Sequence, residues 1–580
     1  MIDRGEVADA LEEIGLLLEL LGENPFKTRA YANAARIVRG LDANLEDLIA
    51  RGELRGQKGI GPALLEKITT LVRTGGLPYL EELRKQVPAG MLSWLKIPGL
   101  GPKKAHVIHV TLGIGTLDEL ERAAHEGKLR DLTGFGAATE KKILAGIARA
   151  REQTGRFLRP VVLDHAARLL GLLASIPGLG SAALAGSARR GAETSKDIDL
   201  VVSARDAGAV MDAFVTDAFV AETIGRGPTK CSVRLDAGPN ADLRVVPAES
   251  FPFALMYFTG SKAHNVALRA RANALGMKLN EYALIRESDG TSVPCEDEAA
   301  IYRALGLPFI PPELREDQGE IEAAEEGRLP MLVERSDLKG ILHCHSNWSD
   351  GGNSIEEMAS AARAMGMTYL GLCDHSRAAA YAGGMSIERA QEQHRAIDAV
   401  NAQLGGSFRV LKGIEVDVLA DGSLDYPDDI LMTFDLVVAS VHSRFNLGQA
   451  EQTERMVRAV SNPYVDILGH PTGRLLLTRD PYPLDLFAVI DAAADRGVAV
   501  EINAHPQRLD LDPAGLRHGV SRGMKTCIDP DAHTTAGLQD VAYGIDTARR
   551  GWCTAGDVLN TLPLGELLSW LRGRRARAGA

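Results

Sequence analysis

No two cysteines lie close enough to make a CxxC pair. The six, Cys231, Cys295, Cys344, Cys373, Cys527 and Cys553, are scattered along the chain, which excludes a zinc ribbon and a disulfide framework. No run of 18 or more apolar residues occurs, and the acidic N-terminus from Met1 to Asp9 lacks a signal-peptide charge pattern. The expectation is therefore a soluble, cytoplasmic chain with no membrane partner. Aromatics are scarce at 5%, so the cores should be aliphatic. Basic charge is not in excess: the net charge is −12. Overall charge thus gives no sign of nucleic acid, and any such contact must come from local patches. What remains is 580 residues, 45% hydrophobic and 24% charged. A single hydrophobic core stops growing near about 250–300 residues, so several domains are expected.

The first 150 or so residues read as helices broken by turns, with amphipathic runs such as Val7–Leu21. Short β-type runs begin after Val161, at Ile198–Val202 and Leu243–Val246. A charged stretch, Glu313–Arg328, reads as a linker or an exposed helix. Beyond it β runs alternate with helices at Gly340–His343, Tyr369–Asp374, Arg409–Val418, Leu436–His442, Ile467–His470 and Val498–Asn503. That alternation is the mark of an α/β barrel or a doubly wound sheet.

Three turns of the helical region share one pattern, glycine–apolar–glycine opening a helix: Gly59-Ile60-Gly61, Gly99-Leu100-Gly101 and Gly134-Phe135-Gly136. Such a turn aims backbone N–H groups along a helix dipole, and glycine lets a phosphate chain come close. One copy would be an ordinary helix connection; three copies argue for helix-hairpin-helix gripping of DNA phosphates. A fourth look-alike, Ile176–Gly180, runs into a strand and reads as a loop. Lys27, Tyr31 and Lys67 could gather on one helical face. They are either phosphate contacts or the surroundings of a lysine whose lowered pKa makes it a Schiff-base nucleophile.

The segment from Gly186-Ser187 through Arg190 to Asp197-Ile198-Asp199 carries a second signal. Residues two apart in a strand share a face, so Asp197 and Asp199 project together. Adjacent carboxylates repel unless a divalent cation sits between them, and Mg²⁺ suits oxygen ligands and nucleotide phosphates. Asp242, alone in an apolar strand, would complete a two-metal phosphoryl-transfer site. The sequence Tyr257-Phe258-Thr259-Gly260-Ser261, followed by Asn265 and Arg269, narrows this. Over residues 1 to about 315 the chain resembles the family X DNA polymerases, such as DNA polymerase beta. The resemblance implies Gly186, Ser187 and Arg190 on the triphosphate and Mg²⁺ or Mn²⁺ on Asp197, Asp199 and Asp242. It also implies Tyr257, Phe258 and Gly260 at the sugar, Asn265 at the incoming base and Arg269 on the template side. Lys67 aligns with the Schiff-base lysine of the lyase-bearing member, with Lys27 and Tyr31 as neighbours. The chain departs from the family at Lys196, where a glycine is usual, at Lys262, where the animal enzyme has an acid, and at Ala63, where a lysine accompanies the first.

Nine of the fourteen histidines follow residue 337. His343, His345, His375, His442, His470 and His533, with Asp350, Glu415 and Asp531, lie at or just after the β runs, where an α/β barrel builds its active site. So many imidazoles and carboxylates on one rim need metals, with N/O ligation compatible with Zn²⁺, Mn²⁺ or Fe²⁺. The pattern HxH…D…DH…E…H…H…DxH resembles the PHP (polymerase and histidinol phosphatase) family. That resemblance implies three metals: one on His343, His345, Glu415 and Asp531, one on Glu415, His442 and His470, and one on Asp350, His375 and His533. His505 stands where the fusion family often has asparagine.

The expected fold is multidomain, α+β and α/β. Helical domains with hairpins span 1–80 and 81–155, a nucleotidyltransferase palm of mixed sheet 156–248, and a thumb 249–315. A linker at 316–337 leads to a distorted (β/α)₇ TIM-like barrel at 338–575. The expected function is gap-filling repair polymerisation from dNTPs on gapped or nicked duplex DNA, joined to a 3′–5′ exonuclease with AP-endonuclease or 3′-phosphodiesterase activity. The protein should be a monomer located at the nucleoid. A DNA-end scaffold with one silent centre and a small-molecule phosphatase are the alternatives; binding to gapped duplex against phosphorylated metabolites separates them.

Overall fold

In a computed structural model of the chain, residues 4–39, 45–57, 59–95, 97, 99–153, 155–236 and 238–579 are described. They form two units, Met1–Thr154 and Gly155–Ala580. Among the described residues no helix is long and apolar enough to cross a membrane.

The first unit is helical. In its opening helix, Arg4–Leu20, the residues Val7, Leu11, Ile14 and Leu18 recur at three- and four-residue steps and are all buried, as an amphipathic helix requires. The three glycine turns prove to be one geometry used three times. Ile60, Leu100 and Phe135 donate their backbone N–H to Gln57, Ile97 and Leu132 at 3.1, 3.0 and 3.0 Å. The glycine before each has a positive φ, 99° at Gly59, 80° at Gly99 and 85° at Gly134, which only glycine adopts cheaply. The second glycine then starts the helix: Gly61, Gly101 and Gly136 each accept the backbone N–H four residues on. Ile60 and Leu100 are buried and pin the turn to the core.

The second unit starts with a five-stranded sheet in the order Leu179–Leu184, Asp197–Ala204, Asn240–Val246, Lys230–Leu235, Val220–Arg226. Ile198, Leu200 and Val202 pack with Leu243 and Val245 against the helices Arg159–Ala174 and Ala207–Val215. The alternate residue Val201 packs with Val246 and Ala254 against the helix Phe251–Thr259. Alternation therefore puts Asp197, Asp199 and Asp242 on the face toward that second helix. The Ile176–Gly180 look-alike makes the same kind of turn, with Gly178 at φ 82°, but continues as the strand Leu179–Leu184 instead of a helix. A three-stranded sheet and the helices Lys262–Ala274 and Glu298–Ala304 follow.

The charged stretch 313–328 departs from the expectation of a solvated segment. Arg315 and Glu320 are wholly buried. Glu320, at the start of the helix Glu320–Glu325, binds His264 Nδ1 at 2.6 Å and the backbone N–H groups of Asp317 and Gln318. Sequence patterning counts those charges as exposed; paired partners elsewhere in the chain take them inside.

Seven parallel strands close the unit, in sequence order from Gly340–Cys344 to Thr526–Asp529. The last of these strands escaped the sequence reading, which resolved six β runs. First and last strands meet: Cys344 bridges Ala532, and Leu342 N–H reaches Asp529 at 2.6 Å. The result is a nearly closed parallel barrel. Leu342, Leu411, Leu436, Val438, Ile467, Ala499 and Cys527 fill its interior, and the flanking helices cover its outside.

Candidate active sites

The sheet brings the three aspartates together. Asp197–Ala204 and Asn240–Val246 pair in parallel with Asp199 opposite Asp242. Burial pushes the Asp199 carboxyl up to about 6, with repulsion from Asp197 and Asp242 adding to it. Lys230 reaches Asp242 Oδ2 at 2.6 Å. Three crowded acids, one with its pKa pushed up by burial and repulsion and one leaning on a lysine, are a donor set that fits a divalent cation. Gly186 is required beside them: at φ 62° it lies so close to Asp199 that an added Cβ would stand 2.9 Å from Asp199 Cγ.

A proton on Asp199 must leave before a cation can bind, so the linkage has a definite sign. Below the folded pKa of about 6 the site is protonated and the cation competes with a proton; above it there is none to displace. The Mg²⁺ concentration that half-saturates the triad should rise about tenfold per pH unit below pH 6 and be level from pH 7 to 8.5. A flat dependence across pH 5–6 would contradict this.

Around the triad, Ser187 Oγ lies 2.8 Å from Ser195 Oγ. Arg190 donates to the Thr259 carbonyl at 2.6 Å and to Glu316 at 2.9 Å. Tyr257 and Phe258 meet edge to face at 5.2 Å, and Arg244 lies over Phe258 at 4.7 Å. Gly260 ends the helix at φ 71°. Asn265 donates to the Tyr257 carbonyl at 2.6 Å while its Oδ1 is buried without a partner. Arg269 is exposed and donates to the Asn265 carbonyl. Lys196 is exposed next to Asp197, and Lys262 is exposed at the first turn of its helix.

In the helical unit, Tyr79 collects Lys27, Tyr31 and Lys67. The Lys67 ammonium sits 4.9 Å from the Tyr79 ring centroid, and Tyr79 hydrogen-bonds to both Lys27 and Tyr31. Burial, with Tyr79 adding to it, pushes the Tyr31 phenol up to about 12. Burial would lower the Lys27 ammonium, but Tyr79 and Glu23 outweigh it and hold it above its ordinary value.

The barrel mouth holds the histidines. Leu342 points into the barrel and Cys344 packs outside, so strict alternation would turn His343 outward. The pairing slips between Ile341 and Cys344, and such an irregularity re-aims side chains. His343 and His345 both enter the mouth, fully buried, with ring centroids 5.2 Å apart. Glu415 is the hub. Its carboxylate lies 2.9 Å from His375, 3.0 Å from His470, 3.3 Å from His442, 3.6 Å from His343 and 3.7 Å from His345. Asp531 reaches His345 at 3.0 Å, and Asp350 lies 3.3 Å from His533 and 3.6 Å from His375. Among the described residues three groupings could hold an ion: His343, His345 and Glu415; His375, Glu415 and His442; His345, Asp350, His375 and His533. In the second, His375 stands beside Glu415 and His442, while His470 meets the same Glu415 oxygen as His442 does.

Electrostatics support a cation site. Burial would lower the His343, His442 and His533 imidazoles, but facing carboxylates raise them, His343 well above its ordinary value, His442 to about 10 and His533 to about 9. Burial and neighbouring cations push His345 to about 3 and His470 to about 4. Burial opposes ionisation of Glu415, yet His442, His375 and His343 hold it well below the carboxylate range. His343 Nε2, His345 Nδ1, His375 Nδ1, His470 Nδ1 and Glu415 Oε2 are all buried without a hydrogen bond, as unfilled ligand atoms would be. His470 and Asp531 also adopt positive φ, 24° and 51°, a strain concentrated at functional sites.

Several supporting residues were missed from sequence. Glu501 fixes His343 through Nδ1 at 2.6 Å, and Asp417 faces His442 Nδ1 at 3.2 Å; such carboxylates set tautomer and ring orientation. An acid inside the apolar run Val500-Glu501-Ile502 was the available signal for Glu501. Tyr381, 72% exposed, stands 6.4 Å from both His375 and His442, and nothing in its Ala-rich surroundings announced it. His505 is half-buried and accepts from the Gln507 N–H at 3.3 Å.

Carboxylates on a mixed sheet beside a glycine-rich turn, and an imidazole–carboxylate cluster in the mouth of a parallel barrel, together define a two-centre phosphoryl-transfer protein with paired helical hairpins. Family comparisons agree. The DNA polymerase beta thumb matches residues 254–316, the PHP domain 342–505, a helix-hairpin-helix domain 3–77 and a SAM-like helix-hairpin-helix tandem 92–149. The "DNA polymerase/3'-5' exonuclease PolX" of Bacillus subtilis is 36% identical over 569 residues, 98% of this chain and 99% of that protein. DNA polymerase lambda of Rattus norvegicus is 28% identical over 346 residues, 53% of this chain and 56% of its own. A "Probable phosphatase" of Thermoanaerobacter is 29% identical over 180 residues, 29% of this chain and 71% of its own. The chain belongs to the PolX family, the family X DNA polymerases that carry a PHP domain.

Proposed function

We propose that the chain extends primers from dNTPs at the Asp197–Asp199–Asp242 centre and hydrolyses 3′-terminal phosphodiesters at the barrel mouth. The observation that carries this is the coexistence of both intact donor sets in a chain collinear with a polymerase/3′–5′ exonuclease. Divalent metals, Mg²⁺ or Mn²⁺ at the first centre and three of Mn²⁺, Zn²⁺ or Fe²⁺ at the second, would supply positive charge against the phosphates and, at the second, an activated water. The residues do the rest. Ser187 and Arg190 bind the triphosphate, Tyr257 and Phe258 flank the sugar, Asn265 meets the base and Arg269 the template. Asp417, Glu501 and the Asp531 carbonyl orient His442, His343 and His533. The substrate is gapped or nicked duplex, the setting is repair, with cleavage at abasic sites a further product of the barrel, and the working form is a nucleoid-associated monomer. The domains span 1–80, 81–155, 156–248 and 249–315, with 316–337 leading to the barrel at 338–575.

A 5′-phosphorylated one-nucleotide-gap duplex labelled on the primer tests this, with Mn²⁺ and with or without dNTPs. Asp197→Ala/Asp199→Ala should lose extension alone, and His343→Ala/His345→Ala shortening alone. A wild type that extends but never shortens the primer would overturn the nuclease half.

The hairpins carry their own expectation. Gly61 and Gly101 have extended backbones, φ −77° and −74°, with no atom near an added Cβ. Alanine fits both places, so the melting temperature should stay at the wild-type value. A methyl group in the path of a sugar-phosphate chain should weaken gapped-duplex binding about tenfold in the double variant. Unchanged affinity at several salt concentrations would remove the hairpins from the binding surface.

A further inference from the structure

The segment from Gly186 to Lys196, which holds Ser187 and Arg190, has little secondary structure of its own. It is a four-residue helix, Gly186–Arg189, and a two-residue strand, Thr194–Ser195, paired with Phe157–Leu158. Its outer side rests on the barrel. Arg159, almost wholly buried, donates to the Ala188 carbonyl at 2.7 Å and binds Asp546 at 2.6 Å. Asp546 and Arg550 lie one turn apart on the helix Val541–Arg550, and both approach Gly191 so closely that an added Cβ would be 3.3 Å from Arg550 Cδ. Arg550 also faces Glu316 at 3.7 Å, the residue that holds Arg190. At the far end of the segment, Glu193 accepts from Arg474 Nη2 at 2.8 Å. Arg474 is rooted in the barrel mouth. It binds the carbonyls of Arg508, at 2.9 Å, and Leu509, and it follows His470 by four residues.

We propose that the PHP barrel is the positioning frame of the polymerase's triphosphate-binding segment, with Glu193–Arg474 and Asp546–Arg159 as the pairs that set its geometry. This rests on the polymerase reading above. Partly buried ion pairs add little net stability, so their value lies in holding the barrel-facing side of a short segment whose other contacts, through Arg189, Arg190 and the Thr194–Ser195 strand, come from the palm and thumb. Triphosphate binding depends on positions within fractions of an ångström, and a segment released at either end would keep its residues and lose their alignment. The barrel would then serve two reactions, one in its own mouth and one through its contact with the palm.

The test is steady-state extension of the gapped duplex by the full chain, with dNTP varied, for wild type, Glu193→Gln, Arg474→Gln and the double variant. Each single change should raise the dNTP KM about three- to tenfold with kcat within about twofold. The double variant should be no worse than the poorer single, because both remove one contact. Glu193→Gln should shorten primers without dNTPs at the wild-type rate, and Asp546→Asn should repeat the KM effect from the other pair. An unchanged KM, or effects that multiply in the double variant, overturns the frame. So does a KM rise accompanied by an equal loss of shortening and of melting temperature, which is general loosening. A wild type that does not extend at all removes the polymerase reading and this one with it.

Discussion

Glu415→Gln lowers primer shortening by at least about 10³-fold and leaves extension within about twofold of wild type. The isosteric change removes one charge from the point where five imidazoles converge, at 2.9 to 3.7 Å. Among the described residues, two of the three groupings able to hold an ion include this carboxylate. Without it His343 and His442 lose a counter-charge and the candidate ions lose their shared ligand. Metal content by elemental analysis should fall together with the nuclease rate. Extension is a separate matter, because the triad stands on another sheet. Substantial shortening by Glu415→Gln with full metal content would show that the hub is not at the reacting centre.

Gly186→Ala should lower single-turnover extension about 10²-fold or more, although it changes no carboxylate. Two costs coincide. The position has φ 62°, where a side chain adds about 1 kcal/mol or more. The new methyl also falls against the Asp199 carboxylate, 2.9 Å from its Cγ, so Asp199 must leave the position it holds in the triad. Asp199→Asn, which removes the charge itself, should cost more, about 10⁴-fold. Both variants should shorten primers normally. Extension by Gly186→Ala within a few-fold of wild type would mean that Asp199 can move without loss, and the two-aspartate geometry would lose its role.

Much of this was legible without coordinates because the signals are local. A carboxylate pair two residues apart in an apolar run lands on one face of a strand whatever surrounds it. The glycine–apolar–glycine turn repeats because only glycine takes the positive φ that the turn needs. Histidines at the ends of successive β runs converge wherever parallel strands close into a barrel. Adjacency across the chain was not legible. The register that sets Asp199 against Asp242, the slipped pairing that brings in His343, and the burial of Arg315 and Glu320 depend on partners that are far away in sequence.

The sequence by itself determined the two chemistries and the residue types that carry them, because metal and phosphate binding demand particular side chains at short spacings. Tertiary structure alone decided which imidazoles face carboxylates, that Glu501 and Asp417 orient His343 and His442, and that the barrel grips the segment of Ser187 and Arg190 through Arg474 and Asp546. The reason is physical. Burial and the Coulomb field of neighbours fix a proton's position and an ion pair's existence, and both are properties of distance through space rather than of order along the chain.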